Sequence, residues 1–443
     1  MDLSRPNLPH RAFSRRGFLA GSAALAAPLA LSACGGFAPA GSQPSQAAGT
    51  LNFTTWGTDA ELAGFRSVIA AFQQANPGTT VSLNAVPYEQ MFSNIDAQIQ
   101  AGNPPDVFRV PYYTFGSYAG AGQLLDLSTH LPQDFASRFT DQAWAAVQNS
   151  SKPYGVPHHT DTSVILYNKT LLDSAGITSI PTTAEEAWTW DQLLEVAGKL
   201  RSSLPGSKYP MAYNWQGNGV TRWLSLLFQV DGRFLAEDLK APAIDSDAGR
   251  AAVDFSKRFF TDKLVPANDS VKSTTYAADT WYSQTSAMVW GGAFMLPDAD
   301  KTATFEWGAT YAPRKTRGGG DFGGNALVAT AKAKDPALAA KFLDFATEAE
   351  QQKTFCVAAS LLPTRADLVQ DGITFDVRGE LTKVFLGQAR QVRASDSGQV
   401  ASPSMSKIIT VLKDQLEQAF VGGQSTEDTI AGLTKGIAGA TGA

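Results

Sequence analysis

Hydrophobic and polar positions follow two regular patterns from residue 51 onward. Short runs in which apolar and polar residues alternate are typical of strands, and longer runs with apolar residues three or four positions apart are typical of helices. The first runs follow the order strand, helix, strand, helix, strand, which predicts a parallel sheet with helices on its faces. The predicted elements are strands over 51–55, 81–86 and 106–110 and helices over 60–74 and 88–100.

The remainder of the chain continues this mixture and contains no internal repeat. A chain of 443 residues is long enough for more than one domain. We therefore predict an α/β fold of two lobes, with ligands beyond the carboxyl ends of the strands. Further strands are predicted over 164–167, 286–289 and 326–330, and further helices over 190–200, 248–260, 336–347 and 404–420.

The first 50 residues lack this patterning and contain sorting motifs instead. The pair Arg15 and Arg16 precedes a weakly apolar stretch that is too short to span a membrane, which predicts twin-arginine export. A Leu-Ser-Ala-Cys sequence ending at Cys34 resembles a bacterial lipobox, whose cysteine becomes lipidated. We therefore predict a signal peptide over 1–33, a flexible tether over 34–50 and a lipid-anchored protein of the cell envelope, either periplasmic or on the outer face of the cytoplasmic membrane. The alternative is an unstructured tail that contains the two arginines by chance.

Composition narrows the choice of partners. The net charge is −5 and no basic run occurs, so the chain lacks the positive surface that nucleic-acid binding needs. Cys34 and Cys356 are the two cysteines, which is too few for a disulfide framework or a cysteine-ligated metal cluster. We expect a monomer that binds a small molecule and no nucleic acid.

Short motifs spread over nearly the whole mature chain carry a family resemblance. They are Phe-x-x-Ala-Asn-Pro-Gly at 72–78, Ala-Gly-Asn-Pro-Pro-Asp-Val-Phe at 101–108, Gly-Gln-Leu-Leu-Asp-Leu at 122–127, Tyr-Gly-Val-Pro at 154–157, Leu-Tyr-Asn-Lys at 166–169, Trp-Asp-Gln-Leu at 190–193, Ala-Met-x-Trp-Gly at 287–291 and Gly-Gly-Asn-Ala-Leu at 323–327. In this order they resemble the family-1 extracellular solute-binding proteins of ABC importers, the group that includes maltose-binding protein.

The resemblance implies the type II periplasmic-binding-protein fold, in which each lobe is a mostly parallel sheet flanked by helices. It implies an N-terminal lobe over 51–160 with a returning segment over roughly 297–350, and a C-terminal lobe over 161–296 and roughly 351–443. A sugar would bind in the cleft between the lobes, which close upon it by a hinge motion. The closed protein would deliver the sugar to a membrane permease and perform no chemistry on it.

Candidate ligand contacts follow from the chemistry of sugars. Hydroxyl groups favour carboxylates and amides, whereas the apolar faces of the ring favour aromatic side chains. In an ungapped comparison with the family, Asp161 falls where maltose-type receptors carry a ligand-binding acid. The open alternatives are that Trp56 belongs to the core and that Glu89 only stabilises the start of a helix. The predicted ligand-binding residues are Trp56, Thr58, Asp59, Glu89, Tyr112, Tyr113, His159, Asp161, Trp215, Gln216, Trp290, Gly292, Phe294, Phe322 and Asn325, and Asp321 joins them from the same loop as Phe322.

Three patterns that suggest a metal or cofactor have simpler explanations. Adjacent tyrosines at 112–113 occur in ferric-ion receptors, but no further ligands accompany them. His158 and His159 are neighbours on an extended chain, so their side chains point in opposite directions and do not predict zinc. The Gly-x-Gly-x-x-Gly sequence at 318–323 precedes a strand and not a helix, so it does not predict a dinucleotide site. We predict no metal and no cofactor, and the absence of clustered basic residues near the predicted cleft argues against sugar phosphates.

Two other functions remain open at this point. A secreted carbohydrate hydrolase or lyase would also line a cleft with tryptophan and carboxylates. The sequence contains neither a Gly-x-Ser-x-Gly nucleophile motif nor a His-Glu-x-x-His zinc motif. A ligand-sensing lipoprotein would dock to a signalling receptor instead of a permease.

Overall fold

The computed structural model describes residues 49–443. The predicted signal peptide, Cys34 and nearly all of the predicted tether lie outside these residues. No helix in the described part combines the length and apolar character that crossing a membrane requires.

Strands and helices alternate along most of the described chain. The strands are β1 Thr50–Thr55, β2 Thr80–Ala85, β3 Val107–Pro111, β4 Gln148–Asn149, β5 Lys152–Pro153, β6 Val156–Asp161, β7 Val164–Asn168, β8 Tyr209–Ala212, β9 Ser286–Gly291, β10 Trp307–Thr310 and β11 Gly323–Ala329. The helices are α1 Asp59–Ala75, α2 Tyr88–Gln100, α3 Tyr112–Gly120, α4 Asp141–Ala145, α5 Lys169–Ser174, α6 Trp190–Ser203, α7 Val220–Gln229, α8 Asp247–Thr261, α9 Ala277–Tyr282, α10 Leu296–Thr302, α11 Pro336–Ala346, α12 Ala349–Ala359, α13 Ala366–Asp371, α14 Thr382–Ala389, α15 Ala394–Val400, α16 Met405–Phe420 and α17 Thr426–Thr441. Short 3-10 helices occupy Phe135–Arg138, Ala293–Met295 and Gly379–Leu381.

The first sheet contains five strands in the order β2-β1-β3-β11-β6. Strand β1 is parallel to both β2 and β3, which confirms the parallel arrangement predicted from the first five elements. Strand β11 is antiparallel to both β3 and β6. Half of the pairings in this sheet are therefore antiparallel.

The second sheet contains four strands in the order β10-β7-β9-β8. Only β8 and β9 are parallel, whereas β7 is antiparallel to both β9 and β10. The α/β class is confirmed, but the prediction that each sheet is mostly parallel is corrected, since both sheets are mixed. The reason is that β6, β7, β10 and β11 flank the connections between the sheets, and these connections run in both directions.

Three connections link the two sheets or run beside them. Residues 162–163 join β6 to β7, and residues 311–322 join β10 to β11. Near residue 362 a third segment runs alongside β6, where the backbone N–H of Thr160 donates to Leu362 O (2.8 Å). The return to the first sheet therefore begins at β11 and not near residue 297, because β10 still pairs with the second sheet. Helix α12 packs against α1, so the element that spans residue 351 also lies on the first sheet.

Helix α1 shows how local sequence fixes these elements. The hydroxyl of Thr58 accepts a hydrogen bond from the N–H of Glu61 (3.3 Å), and the Glu61 carboxylate accepts from the N–H of Thr58 (2.8 Å). This capping box satisfies two N–H groups that a helix start otherwise leaves free. Beyond it, Phe65, Val68 and Phe72 are buried in the core of the first sheet. The cap also holds Glu61 at the carboxyl end of β1, where the site lies.

Candidate functional site

A cleft lies between the two sheets at the carboxyl ends of β1, β3 and β6. Facing these strand ends are the start of α7 and the turn after β9. The cleft has two adjoining cavities, which we name the first chamber, about 410 Å³, and the second chamber, about 490 Å³. Both are lined by Tyr88, Gly217, Arg222 and Phe294, so they are continuous. This is the position at which α/β sheets bind ligands.

The β3 side of the first chamber is built around Arg109. Its Nη2 forms a salt bridge with Glu61 (2.5 Å), and both side chains are nearly inaccessible to solvent. Its Nη1 donates to the backbone oxygen of Trp56 (2.9 Å), and its guanidinium lies 4.5 Å from the centroid of the Trp56 ring. Such a cation–π contact orients the indole and holds it in place. Arg109 is therefore a paired structural cation that positions an aromatic wall.

A buried histidine continues this network. The Nε2 of His159 lies 3.0 Å from Nη2 of Arg109 and 2.9 Å from Nδ2 of Asn325, and both of these nitrogens are donors. Nε2 is therefore an acceptor, and the proton of the neutral ring lies on Nδ1, which faces His158 Nδ1 at 3.0 Å. Burial, reinforced by Arg109, holds the pKa of His159 well below its ordinary value and lowers that of His158 to about 3. Both histidines are neutral at physiological pH.

Aromatic rings lie near the junction of the two chambers. Trp56 and Tyr88 pack with their ring centroids 5.2 Å apart. The hydroxyl groups of Tyr88 and Tyr113 lie 2.5 Å apart, and Tyr113 donates to the backbone oxygen of Gly217 (3.2 Å). Burial raises the pKa of both tyrosines, so both remain protonated donors. This chain of hydroxyls joins helices of the first sheet to the loop before α7.

Two buried carboxylates lie beside the connections between the sheets. The backbone N–H of Ala293 donates to Asp161 (3.1 Å), and the backbone N–H of Ser163 donates to Asp321 (2.7 Å). Burial and then the neighbouring Asp321 raise the pKa of Asp161 to about 7, and burial also raises the pKa of Asp321. Neither carboxylate forms a salt bridge with a described residue. Both are acceptors with hydrogen-bonding capacity still free for a ligand.

Arg222, near the start of α7, faces both chambers. Its Nη1 donates to the backbone oxygens of Asn214 (3.2 Å) and Gln216 (3.0 Å). Its Nε is buried without a hydrogen-bond partner, and the guanidinium forms no salt bridge with any carboxylate of residues 49–443. Its charge nevertheless lowers the pKa of Asp161 and Asp321 through space. This arginine differs from Arg109 in having no ion-pair partner.

The second chamber adds two lysines and one glutamate. Lys413 donates to Asn218 Oδ1 (2.6 Å), and burial followed by the nearby Lys272 lowers its pKa. Lys272 forms a salt bridge with Asp414 (2.7 Å) at the surface. Glu89 lines the same chamber. With Arg222, three cations and one carboxylate surround this space.

A third cavity of about 680 Å³ is larger but lies elsewhere. Its lining residues, among them Phe260 and Phe420, all lie between positions 201 and 421, and no carboxylate lines it. It lacks the combination of two facing sheets, buried acids and aromatic rings that the cleft has. Nor does any group of three or more His, Cys, Asp or Glu side chains within residues 49–443 have a metal-binding arrangement.

Comparison with known sequences shows which family this architecture represents. The model of the bacterial extracellular solute-binding protein family matches residues 56–353. The chain belongs to this family. Curated relatives align with very different fractions of this chain, and their sequence identity to it is low.

Two curated relatives illustrate this range. The galactooligosaccharide-binding protein of Bacillus subtilis (strain 168) is 21% identical over 408 residues, which cover 90% of each chain. The arabinooligosaccharide-binding protein of Halalkalibacterium halodurans is 26% identical over 156 residues, or 33% of this chain and 34% of that protein. This second match therefore spans about a third of the relative's length.

Solved structures of solute-binding proteins share the fold. The GacH receptor of Streptomyces glaucescens superposes with a TM-score of 0.73 at 20% identity, covering 90% of this chain and 99% of that one. The substrate-binding protein Lmo0181 of Listeria monocytogenes, solved with cycloalternan, gives a TM-score of 0.75 at 21% identity over 89% and 99%. These likenesses show the two-lobe fold of the family.

Ten of the fifteen residues predicted to bind ligand line the cleft. Seven line the first chamber, and Phe294 among them also reaches the second chamber. The other three line only the second chamber. The first group is Trp56, Thr58, Tyr113, His159, Asp161, Phe294 and Asn325, and the second is Glu89, Trp215 and Gln216.

The remaining five predicted residues do not line either chamber. Asp59 is exposed in the first turn of α1. Tyr112 is fully buried, with its ring 4.7 Å from that of Phe322 and its hydroxyl donating to His159 O (3.1 Å). Trp290 is buried in the core of the second sheet. Gly292 lies behind Asp161, where an added Cβ would be 2.2 Å from Oδ2.

The structure also adds residues that the sequence analysis did not select. Glu61, Arg109 and Arg222 all line the first chamber, and Lys272 and Lys413 line the second. The expectation that the cleft lacks clustered basic residues is therefore wrong. Arg109 could have been noticed from the sequence, because it is a charged residue inside the apolar strand predicted over 106–110. The sequence offered no comparable indication for Arg222.

Proposed function

We propose that the protein is the extracytoplasmic substrate-binding component of an ABC transporter, which captures a mono- to oligosaccharide and delivers it to the permease. The observation that carries the proposal is the composition of the cleft. Rings of Trp56, Tyr88 and Phe294 and the buried carboxylates of Asp161 and Asp321 line one continuous space between the sheets. Rings suit the apolar faces of sugars, and buried acceptors suit their hydroxyl groups. The oligosaccharide-binding names of the relatives support the same ligand class.

Hinge closure is part of the proposal. The two sheets are joined by short connections, and the ligand would contact residues from both sides. A ligand that binds only the closed form stabilises that form by its differential affinity. The proposed lipid anchor on Cys34, following twin-arginine export, would keep a monomeric receptor near the permease at the cell envelope. We propose no catalytic step and no cofactor.

One observation keeps an enzyme as the second candidate. A carboxyl group with a pKa of about 7 beside a second carboxylate is suited to general acid catalysis of glycoside cleavage. A receptor returns its ligand unchanged, whereas a hydrolase or lyase does not. Recovery of the ligand therefore separates the two functions.

The test is a thermal-shift screen of the full chain against mono-, di- and oligosaccharides and polyols, with chromatographic recovery of each ligand. A bound sugar at a hundredfold excess over its dissociation constant stabilises the protein by about 2.7 kcal/mol. A saturable shift with intact ligand supports the receptor, and cleaved ligand contradicts it. A panel without any shift contradicts the carbohydrate proposal.

A matched pair of variants locates the binding site. Asp161→Asn removes a buried acid of the first chamber, whereas Asp269→Asn removes one outside the cleft. Burial raises the pKa of both acids to about 7, and Asp269 accepts a hydrogen bond from the N–H of Tyr213 (2.7 Å). We expect Asp161→Asn to weaken sugar binding at least tenfold and Asp269→Asn to leave it unchanged.

A further inference from the structure

The distribution of charge along the cleft is uneven. In the first chamber, Arg109 is paired with Glu61, which leaves Asp161 and Asp321 as acids without a salt bridge to any residue of 49–443. In the second chamber the cations outnumber the carboxylates. The sign of the unpaired charge therefore changes between the two chambers, and Arg222 lies at the boundary.

The cations of the second chamber are unusual in an acidic chain. The net charge of the protein is −5, yet Arg222 and Lys413 have no carboxylate partner among the described residues. Lys413 is about half-buried, and its pKa is lowered by burial and by Lys272. Arg222 and Lys413 line the same chamber, and a cation without a counter-ion is unfavourable in a partly desolvated site. An anionic ligand group would relieve this cost.

The geometry of Arg222 suits such a group. A guanidinium offers a planar fork of N–H donors that matches carboxylate, sulfate and phosphate oxygens. Only Nη1 of Arg222 is engaged, by two backbone oxygens, and the buried Nε has no partner. The buried Nε of Arg109 also has no partner, but both Nη atoms of Arg109 are already used within the protein. Arg222 is therefore the arginine with an Nη atom free for a ligand.

We infer that the ligand is an acidic carbohydrate, with an uncharged sugar ring in the first chamber and an oxyanion substituent against Arg222 and Lys413 in the second. This inference deepens the proposed function and rests on it. The uncharged ring would use Trp56 and the acceptors Asp161 and Asp321. Arg222 is then a specificity-determining residue, which selects the charged sugar over its neutral counterpart.

A competing role for Arg222 is that of counter-charge. It lowers the pKa of Asp161 and Asp321 through space, so its removal could weaken every ligand by disturbing these acids. The two roles differ in one quantity. A counter-charge affects acidic and neutral ligands equally, whereas a specificity residue affects the ratio of their affinities.

The test measures that ratio by calorimetric titration of the full chain. The probes are a uronic-acid-containing disaccharide and the same disaccharide with its carboxyl group reduced to an alcohol. Sulfated and phosphorylated sugars with their unmodified counterparts form parallel arms that identify the oxyanion. We expect at least one acidic member to bind tenfold or more tightly than its neutral counterpart, with an affinity that falls as salt rises.

Variants assign the preference to Arg222. In Arg222→Gln the acid-to-neutral ratio should fall at least tenfold, and in Arg222→Lys, which keeps the charge but loses the fork, it should fall less. Arg258→Gln is the matched control, because Arg258 on α8 forms an exposed salt bridge with Asp262 just after the helix. It should keep the wild-type ratio. Circular dichroism melts verify folding, and Lys413→Met, a second change in the same chamber, should also lower the ratio.

The remaining outcomes overturn the inference in distinguishable ways. Equal or tighter binding of the neutral sugars by wild type would overturn the acidic ligand while leaving the receptor function standing. An unchanged ratio in both Arg222→Gln and Lys413→Met would overturn the assignment of the two cations. Binding of no sugar, acidic or neutral, would overturn the inference and the proposed function together.

Discussion

The two arginines of the first chamber have opposite surroundings. Arg109 is paired with Glu61, packs over Trp56 and donates to its backbone oxygen. Arg222 lies across the same space with backbone oxygens as its only hydrogen-bond partners among the described residues. An arginine therefore has a structural role on one wall, whereas the arginine on the other wall keeps hydrogen-bond donors free for a ligand.

The contrast shows which charged groups of the cleft are available to a ligand. Arg109 and Glu61 form a salt bridge with each other, so few of their hydrogen-bonding groups remain free for a ligand. Unpaired groups such as Arg222 and Asp161 are less favourable in the free protein but are available for recognition. The first sheet carries the paired Arg109 together with the unpaired Asp161, and the facing wall provides the unpaired Arg222.

The largest predicted effect concerns Arg109. Arg109→Met leaves Glu61 buried without its cation, and breaking a buried pair in this way costs about 3–5 kcal/mol. We expect a loss of this size in the free energy of unfolding measured with guanidinium chloride. Arg222→Met should cost less than Arg109→Met without ligand, since it breaks two hydrogen bonds to backbone oxygens but leaves no salt-bridge partner buried. Equal losses for the two arginines would remove the contrast.

The second effect is a dependence on pH. The pKa of Asp161 is about 7 in the folded protein, raised by burial and by Asp321 and partly offset by Arg222. A raised carboxyl pKa favours the folded state at low pH, and this stability is lost as pH rises from the unfolded value of 3.8 through about 7.

The measurement compares wild type with Asp161→Asn, which does not titrate at this position. Between pH 5 and 7 the stability of wild type should fall relative to the variant by up to about 1.4 kcal/mol per pH unit. Tyr276, Asp321 and Arg222 also face this acid, so Asp321→Asn should reduce the slope and lower the midpoint. A difference that is independent of pH would show that Asp161 is ionised throughout.

The third effect tests the packing behind Asp161. In Gly292→Ala the added Cβ would lie 2.2 Å from Asp161 Oδ2, so the carboxylate must move. Overpacking of this kind costs about 1–3 kcal/mol, and we expect sugar affinity to fall with the melting temperature. Gly398→Ala is the matched control, because nothing lies within 4 Å of its added Cβ in α15. Alanine there should be neutral or slightly stabilising.

The smallest effect concerns the contact across the cleft. Tyr113→Phe removes the hydroxyl that joins Tyr88 to the backbone oxygen of Gly217. A hydrogen bond of this kind contributes about 1 kcal/mol, so the melting temperature should fall slightly. Tyr209→Phe, whose hydroxyl bonds to no described residue, should change nothing. A Tyr113 variant identical to wild type would show that this contact does not stabilise the arrangement of the two walls.

Much of the fold could be predicted from the sequence, because strands with clear apolar patterning were easy to place. The strand predicted over 81–86 is β2, Thr80–Ala85, and the helix predicted over 404–420 is α16, Met405–Phe420. Strand β8 was missed because Tyr-Pro-Met-Ala shows no alternation. Strand β11 is antiparallel to its neighbours because the chain enters it from the second sheet, and the local sequence pattern carries no information about that direction.

Part of the site was predictable from position along the predicted strands and from the family resemblance. Trp56 was selected because it lies just beyond a strand end, and Asp161 because it falls where related receptors carry a ligand-binding acid; both line the first chamber. Tyr112 follows the third predicted strand and was selected on the same ground as Trp56, but it begins α3 with its side chain turned into the core. Arg222 was missed because what distinguishes it is the lack of an ion-pair partner, which only the three-dimensional arrangement reveals.

The central claim is that the cleft between the sheets captures a sugar. A crystal structure of the full chain with the tightest-binding sugar from the screen tests it most directly. The account predicts an intact sugar against Trp56 and Asp161, with its acidic group within hydrogen-bonding distance of Arg222. A sugar bound instead in the cavity beside Phe260 and Phe420, with the cleft free, would contradict it.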